Sequence, residues 1–274
     1  MADTSISNPT PPTAAPTADD IIVVKDLTVG YGDNIILQNL NFSVKRGEVF
    51  VILGGSGCGK SSLLKNMIGL YEPPVGDVLI EGDDIVTAEG AERQRILTRF
   101  GVMYQQGALF GSMNLLENVR LFLEEYTDLT PDQMSLIARC KLGLVGLLPY
   151  ESFMPSEISG GMQKRAAIAR AMALDPDILF LDEPSAGLDP ITSAELDQTI
   201  LSISRNLGIT FVVVTHELPS IYTIADRVIM LDKTTKGIIA EGKPQWLRDH
   251  SDIPLVRQFF NRDAKAASPE TSPA

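Results

Sequence analysis

Positive charge is in short supply: 23 Lys and Arg stand against 35 Asp and Glu, a formal net charge of −12. A chain this acidic lacks the cationic surface that draws proteins onto a phosphate backbone, so nucleic acid is not expected as a partner. Cysteine is scarce too. Cys58 and Cys140 are the only two, too few for a disulfide framework, which fits a reducing compartment. No apolar run approaches the roughly 18 residues of a membrane-spanning helix; those at Val49–Leu53 and Phe211–Val214 are strand-sized. Met1 to Asp20 carries no Lys or Arg and no apolar block, so no secretory leader is expected there. There is also no internal repeat, which argues against a tandem duplication.

What is present divides the chain by composition. Residues 1–20 and 263–274 are rich in Pro, Ala, Ser and Thr and read as disordered tails. Between them, from residue 21 to about 245, strand-like runs alternate with helical patterns, an α/β arrangement. Strands are expected at Ile21–Val24, Ile35–Leu37, Val49–Leu53, Val78–Ile80, Val102–Tyr104, Ile178–Leu181, Ile209–Val214 and Val228–Leu231. Val49–Leu53, Ile178–Leu181 and Phe211–Val214 are almost continuously apolar, the pattern of parallel strands buried on both faces. From Asn114 to Leu148 the period turns helical, with Leu115, Leu116, Val119, Phe122 and Leu123 recurring on one face. An inserted helical subdomain is expected there, bounded at about 107–168. One last helix is expected over Trp246–Asn261, within a C-terminal extension of residues 246–262.

Directly behind Val49–Leu53 stands Gly54-Gly55-Ser56-Gly57-Cys58-Gly59-Lys60-Ser61. It fits G-x-x-x-x-G-K-S/T, and the helix-like Ser62–Leu70 follows it. Glycines let backbone N–H groups close around an anionic phosphate, and the helix start adds the positive end of its dipole. Lys60 supplies a mobile charge for β- and γ-phosphates, and the Ser61 hydroxyl can ligate magnesium. The alternative is a flexible Gly/Ser loop, and the flanking strand and helix disfavour it. Gly54 to Ser62 are therefore expected to bind a nucleoside triphosphate. Cys58 reads either as a reactive thiol near a helix start or, preferably, as a small filler in a tight loop.

Far downstream, Ile178-Leu179-Phe180-Leu181-Asp182-Glu183 ends an apolar strand in paired carboxylates. Asp182 can hold magnesium through water, and Glu183 can polarise an attacking water as general base. Alone this is weak evidence; beside the glycine loop it is strong. Three further pieces accompany it. Ile158-Ser159-Gly160-Gly161-Met162 leads into the helix-like Gln163–Leu174, a second anion-binding helix start suited to a γ-phosphate. Ser185-Ala186-Gly187-Leu188-Asp189 follows the carboxylates, and Val212-Val213-Val214-Thr215-His216 puts a histidine at a strand end.

In this order the pieces resemble the ATP-binding cassette ATPases over roughly residues 21–245. The resemblance implies a RecA-like P-loop NTPase core with an antiparallel β subdomain and an inserted α-helical subdomain. It makes Gly54–Ser61 the Walker A loop, Asp182 with Glu183 the Walker B pair, and Ser159, Gly160, Gly161 and Met162 the signature. Ser185–Asp189 becomes the D-loop, and His216 the switch histidine at the γ-phosphate. Gln105, after Val102-Met103-Tyr104, resembles the Q-loop glutamine that meets magnesium and water. Tyr31, in Val29-Gly30-Tyr31-Gly32, resembles the aromatic that stacks on adenine; without the family, a strand-edge core residue is an equal reading. Two positions depart: Ile158 stands where the family has Leu, and Met162 where it has Gln.

The family geometry implies a second copy of the chain, arranged head to tail. ATP on one Walker A loop is then capped by the partner's signature, and hydrolysis drives opening and closing. The segment Gln106-Gly107-Ala108-Leu109-Phe110, with Pro155–Arg165, closely resembles the ATPases of Mla/Mce-type phospholipid transport. That implies ATP and Mg²⁺ as cofactors, an integral membrane permease, an MCE-domain lipid-binding protein, and a peripheral place on the cytoplasmic side of the inner membrane. An importer or exporter of another solute shares the catalytic motifs and stays open; a soluble non-transport ABC ATPase is disfavoured, since no second cassette, coiled coil or basic stretch accompanies the motifs. Ala108–Phe110 is either core packing under a loop or an exposed patch for the permease. Lys164 and Arg165 read as solvated charges on a helix face. The apolar positions of Trp246–Phe260 are either a packed terminal helix or a contact with the neighbouring ATPase.

Overall fold

The computed structural model describes residues 17–32 and 34–261, so most of both expected tails lies outside the described residues. Residues 18 and 19 form a turn in which the Thr17 N–H donates to Asp20 Oδ2 at 2.6 Å, and Asp20 already opens the first strand. Structured chain thus begins before the expected boundary at residue 20.

Two sheets carry the molecule. The first is antiparallel, ordered β2-β1-β4-β5, from β1 (Asp20–Tyr31), β2 (Asn34–Lys45), β4 (Val75–Ile80) and the two-residue β5 (Asp83–Asp84). The second is ordered β10-β9-β3-β8-β7-β6, from β3 (Val49–Gly54), β6 (Phe100–Met103), β7 (Ile178–Asp182), β8 (Thr210–Val214), β9 (Arg227–Asp232) and β10 (Gly237–Gly242). Within it all pairings are parallel except that of β10 with β9.

Alternation along the central strands explains why they read as unbroken apolar runs. Val49, Val51 and Leu53 of β3 point into one core with Leu179, Leu181, Phe211 and Val213. Phe50 and Ile52 point into the other, with Phe180, Val212 and Val214, against the antiparallel sheet. With both faces covered, neither needs polar residues.

Helices α1 (Lys60–Met67) and α2 (Gly90–Leu97) contribute to the core shared with the antiparallel sheet. The other core takes residues from α3 (Leu115–Tyr126), α4 (Pro131–Leu144), α5 (Gly160–Ala171), α6 (Pro190–Leu207) and α7 (Leu218–Ile224). Asn114 and Thr130 start α3 and α4 with reciprocal capping boxes, which satisfy two otherwise unpaired N–H groups at each start.

Several expected elements change. The first strand is longer than Ile21–Val24 because register shifts let it bend and keep pairing with β2. The strand expected at Val102–Tyr104 starts at Phe100 and leaves Tyr104 outside the sheet. β5 and β10 were not expected; β5 is two acidic residues, and β10 is a half-exposed edge strand with a mixed sequence. The single terminal helix is two, α8 (Pro244–His250) and α9 (Pro254–Asn261). Ser251 is extended between them, and the proline at 254 disfavours helix in the residue before it. Val256 and Phe260 bury α9, and the Tyr222 hydroxyl of α7 donates to the Phe260 carbonyl at 3.1 Å. Packing of the terminal helix on its own chain is thus established.

Candidate functional site

At the end of β3 the chain turns through Gly54 with φ of +152°, and a Cβ there would lie 2.6 Å from the Leu231 carbonyl oxygen and 2.7 Å from Cys58 Sγ. Only glycine lets the loop leave the sheet so close to β9. Cys58 fills the space beneath, buried, and burial pushes its thiol up. The filler reading of Cys58 therefore stands over the reactive one. α1 starts at Gly59 with no side-chain cap, so its first N–H groups are left for an anion. Lys60 lies buried along the loop and donates from Nζ to the Gly54 and Gly55 carbonyls at 3.0 and 3.3 Å.

β7 pairs in parallel with β8, with Asp182 opposite Val214. The residues just beyond each strand end therefore meet. Ser61 Oγ donates to Asp182 Oδ1 at 3.0 Å, joining the glycine loop to β7. Burial raises the Asp182 carboxyl, while the Ser61 hydrogen bond and the charges of Lys65, Lys60 and Lys164 oppose it. Glu183 has φ of +48° and donates its N–H to the Val214 carbonyl at 2.8 Å. Its carboxylate, 11 % exposed, lies 2.8 and 3.0 Å from Nδ1 of His216, whose ring is 61 % exposed. Among the described residues no cluster of three or more His, Cys, Asp or Glu forms a metal cage. Ser61 and Asp182 instead offer two hard oxygens, a set that fits magnesium completed by water and phosphate.

Tyr31 ends β1 beside α1. Its hydroxyl is 3.1 Å from Ser62 Oγ, its ring meets Tyr71 edge-on at 5.5 Å, and it is 47 % exposed, which overturns the strand-edge core reading. The remaining expected residues lie further off. Ser159 caps α5 by accepting the Met162 N–H at 3.3 Å, and Met162 packs partly buried on the core. Ser185 is buried, Ala186 donates its N–H to the Glu183 carbonyl at 3.2 Å, and Leu188 donates to Ser185 at 3.1 Å. Asp189 caps α6, accepting from the Ile191 and Thr192 N–H groups.

Four side chains with structural roles escaped the sequence reading. Lys164 is not a solvated charge: it is buried and donates from Nζ to the Gln105 carbonyl. Arg165, half-buried, donates to the Val145 carbonyl at 3.2 Å. Arg170 is buried and donates to the Ala108 and Gly107 carbonyls at 2.6 and 2.9 Å. Asn118, buried in α3, accepts the Phe110 N–H at 2.8 Å and donates to the carbonyls of Phe110, Met113 and Asn114. Lys164, Arg170 and Asn118 hold the segment from Gln105 to Asn114, and Phe110 projects from it at 49 % exposure. Phe110 is therefore surface rather than core. An asparagine or lysine within a helical apolar pattern gives only a faint signal, which is why these were missed.

A glycine cradle on β3, a carboxylate pair at the end of β7 in the same sheet and a capped serine–glycine helix start define a phosphate-handling ATPase of the P-loop class. The family described as ABC transporter matches residues 37–186, and the chain belongs to it. It is an ATP-binding ATPase of that family. Over 240 residues it is 44 % identical to the probable ribonucleotide transport ATP-binding protein mkl of Mycobacterium leprae, covering 88 % of this chain and 68 % of that one. Over 255 residues it is 38 % identical to the intermembrane phospholipid transport system ATP-binding protein MlaF of Escherichia coli K12, covering 93 % and 94 %. The chain thus spans about two thirds of the mycobacterial relative and nearly all of MlaF. Among solved structures, CbiO1 of Clostridium perfringens, part of the ABC transporter complex CbiONQ, superposes with a TM-score of 0.77 at 29 % identity, over 85 % of this chain and 92 % of that one. The cassette MJ0796, a dimer in a post-hydrolysis state with ADP and Pi, gives 0.71 at 31 %, over 81 % and 98 %.

Proposed function

We propose that the chain is the nucleotide-hydrolysing subunit of a transporter that moves phospholipid between membranes, working as a head-to-tail pair beneath a separate permease. The observation that carries the hydrolytic reading is the joined site, in which Ser61 meets Asp182 while Glu183 lies against His216. Gly54–Ser62 cradle the triphosphate, Tyr31 lies under the adenine, and Lys60 leaves the Gly54 and Gly55 carbonyls for the phosphates. Ser61, Gln105 and Asp182 would hold magnesium, which when bound would neutralise phosphate charge. Glu183 orients and deprotonates the attacking water, and His216 keeps that carboxylate aimed while its other nitrogen faces the γ-phosphate. Ser159, Gly160, Gly161 and Met162 of a second copy close the site, with Ser185–Asp189 lying along the seam.

Phospholipid is preferred as cargo because the match to MlaF runs almost the full length of both chains. The name of the mycobacterial relative favours a second reading, ribonucleotide cargo. The permease places the chain on the cytoplasmic side of the inner membrane; among the described residues no helix is long and apolar enough to cross one. Exposed Phe110 and its neighbours form the permease contact. The test is purification of the tagged chain from membranes. A permease and an MCE-domain lipid carrier with bound phospholipid are expected; a solute receptor in their place would overturn the lipid cargo.

A further inference from the structure

We propose that Lys164 is a positioning residue for hydrolysis, holding Gln105 and the carboxylate pair in register with the signature helix. The inference rests on the reading above, in which Gln105, Asp182 and Glu183 act on the triphosphate. Lys164 lies in the second turn of α5, whose cap is Ser159. Its side chain crosses to the loop after β6 and donates to the Gln105 backbone carbonyl. β6 lies beside β7, so the Asp182 strand end borders that loop, and the charges of Asp182 and Glu183 favour the ammonium there. One charge on α5 thus reaches the loop after β6 and the carboxylates at the end of β7, two strand ends that the β6–β7 ladder sets side by side but that no ladder joins to the helix.

Fold stability does not explain this charge. Lys164 is 7 % exposed, and the structure gives it a single hydrogen bond, to a neutral carbonyl. Burial works against the charged form, and the two carboxylates oppose that. An apolar residue of similar length would avoid the desolvation, and buried charges are often replaceable without loss of stability. The loop has a separate anchor two residues on, where Arg170 grips Gly107 and Ala108. Losing Lys164 therefore frees Gln105 without undocking the segment. Because Lys164 sits on the helix that Ser159 starts, seating that turn on a partner's nucleotide also shifts Gln105 and the carboxylates. Hydrolysis is thereby coupled to closure.

The test compares Lys164→Met, Lys164→Arg and Glu183→Gln by steady-state ATP hydrolysis, ATP affinity and thermal unfolding. Lys164→Met should lower kcat by about tenfold to a hundredfold, the scale of a small misplacement of reacting groups. Its ATP affinity should stay within about twofold and its Tm should be no lower, and Lys164→Arg should recover turnover. Unchanged kcat in Lys164→Met beside a dead Glu183→Gln overturns the inference and leaves the hydrolytic reading intact. A kcat that falls only together with Tm and ATP affinity also overturns it, because the role is then structural. Undiminished turnover in Glu183→Gln overturns the hydrolytic reading itself.

Discussion

Glu183 occupies the left-handed region at φ +48°, a conformation rare for a glutamate and of a kind that costs about 1–3 kcal/mol. The strain turns its carboxylate away from the strand direction set by Asp182 and onto His216. Glu183→Gln keeps the shape and removes the base, so kcat should fall by about 10² to 10⁴-fold while ATP binding persists, read by single-turnover hydrolysis and nucleotide titration. The two cysteines give a second check. Cys58 is buried with its thiol pushed up, and Cys140 is exposed. A maleimide should label Cys140 in the native protein and Cys58 only after denaturation, as peptide mass mapping would read. At this scale the sequence was most informative where chemistry demands a residue type: Lys60 and Ser61 stand out from the spacing of the glycine loop, and Asp182 and Glu183 from an apolar strand ending in two carboxylates once that loop is present. Lys164 and Asn118 were hidden because a polar residue in a helix normally faces water, and only the tertiary contact shows otherwise.

Helix α5 packs closely on α6. A Cβ at Gly161 would lie 2.2 Å from Thr192 Cγ2, so Gly161→Ala should destabilise by about 1–3 kcal/mol in chemical denaturation. Adding Thr192→Ser removes that methyl while keeping the hydroxyl that donates to Asp189, and should restore most of the loss. Asp197 of α6 is buried, and burial raises its carboxyl to about 6 against an ordinary 3.8, with Glu217 adding to the rise and a Ser220 hydrogen bond opposing it. The folded state therefore holds this proton more tightly than the unfolded one. Its contribution favours folding at low pH and is lost as pH rises through about 6. Asp197→Asn should raise Tm at pH 8, with the gain shrinking toward pH 4. Central strands were legible as elements because burial on both faces leaves an unbroken apolar run. β10 was not, since an edge strand with half-exposed residues such as Gly237–Gly242 carries no such run. The break between α8 and α9 could have been found from Pro254.

On the proposed reading, one copy assembles half of what ATP hydrolysis needs. The glycine loop, carboxylate pair and histidine meet at the ends of β3, β7 and β8, whereas Ser159 caps its own helix and Gly161 lies against α6. The resemblance carried by the order of motifs implies this division. It did not make legible the side-chain bridges from α3 and α5 that hold the loop between the two halves, because those contacts join residues far apart in sequence. The composite site is tested most directly by ATP hydrolysis with Lys60→Ala and Ser159→Glu, measured singly and mixed. Each variant alone should be nearly inactive, and mixing should restore turnover, because a mixed pair holds one site with both Lys60 and Ser159 intact. Wild-type hydrolysis by Ser159→Glu alone would contradict a site shared between two copies.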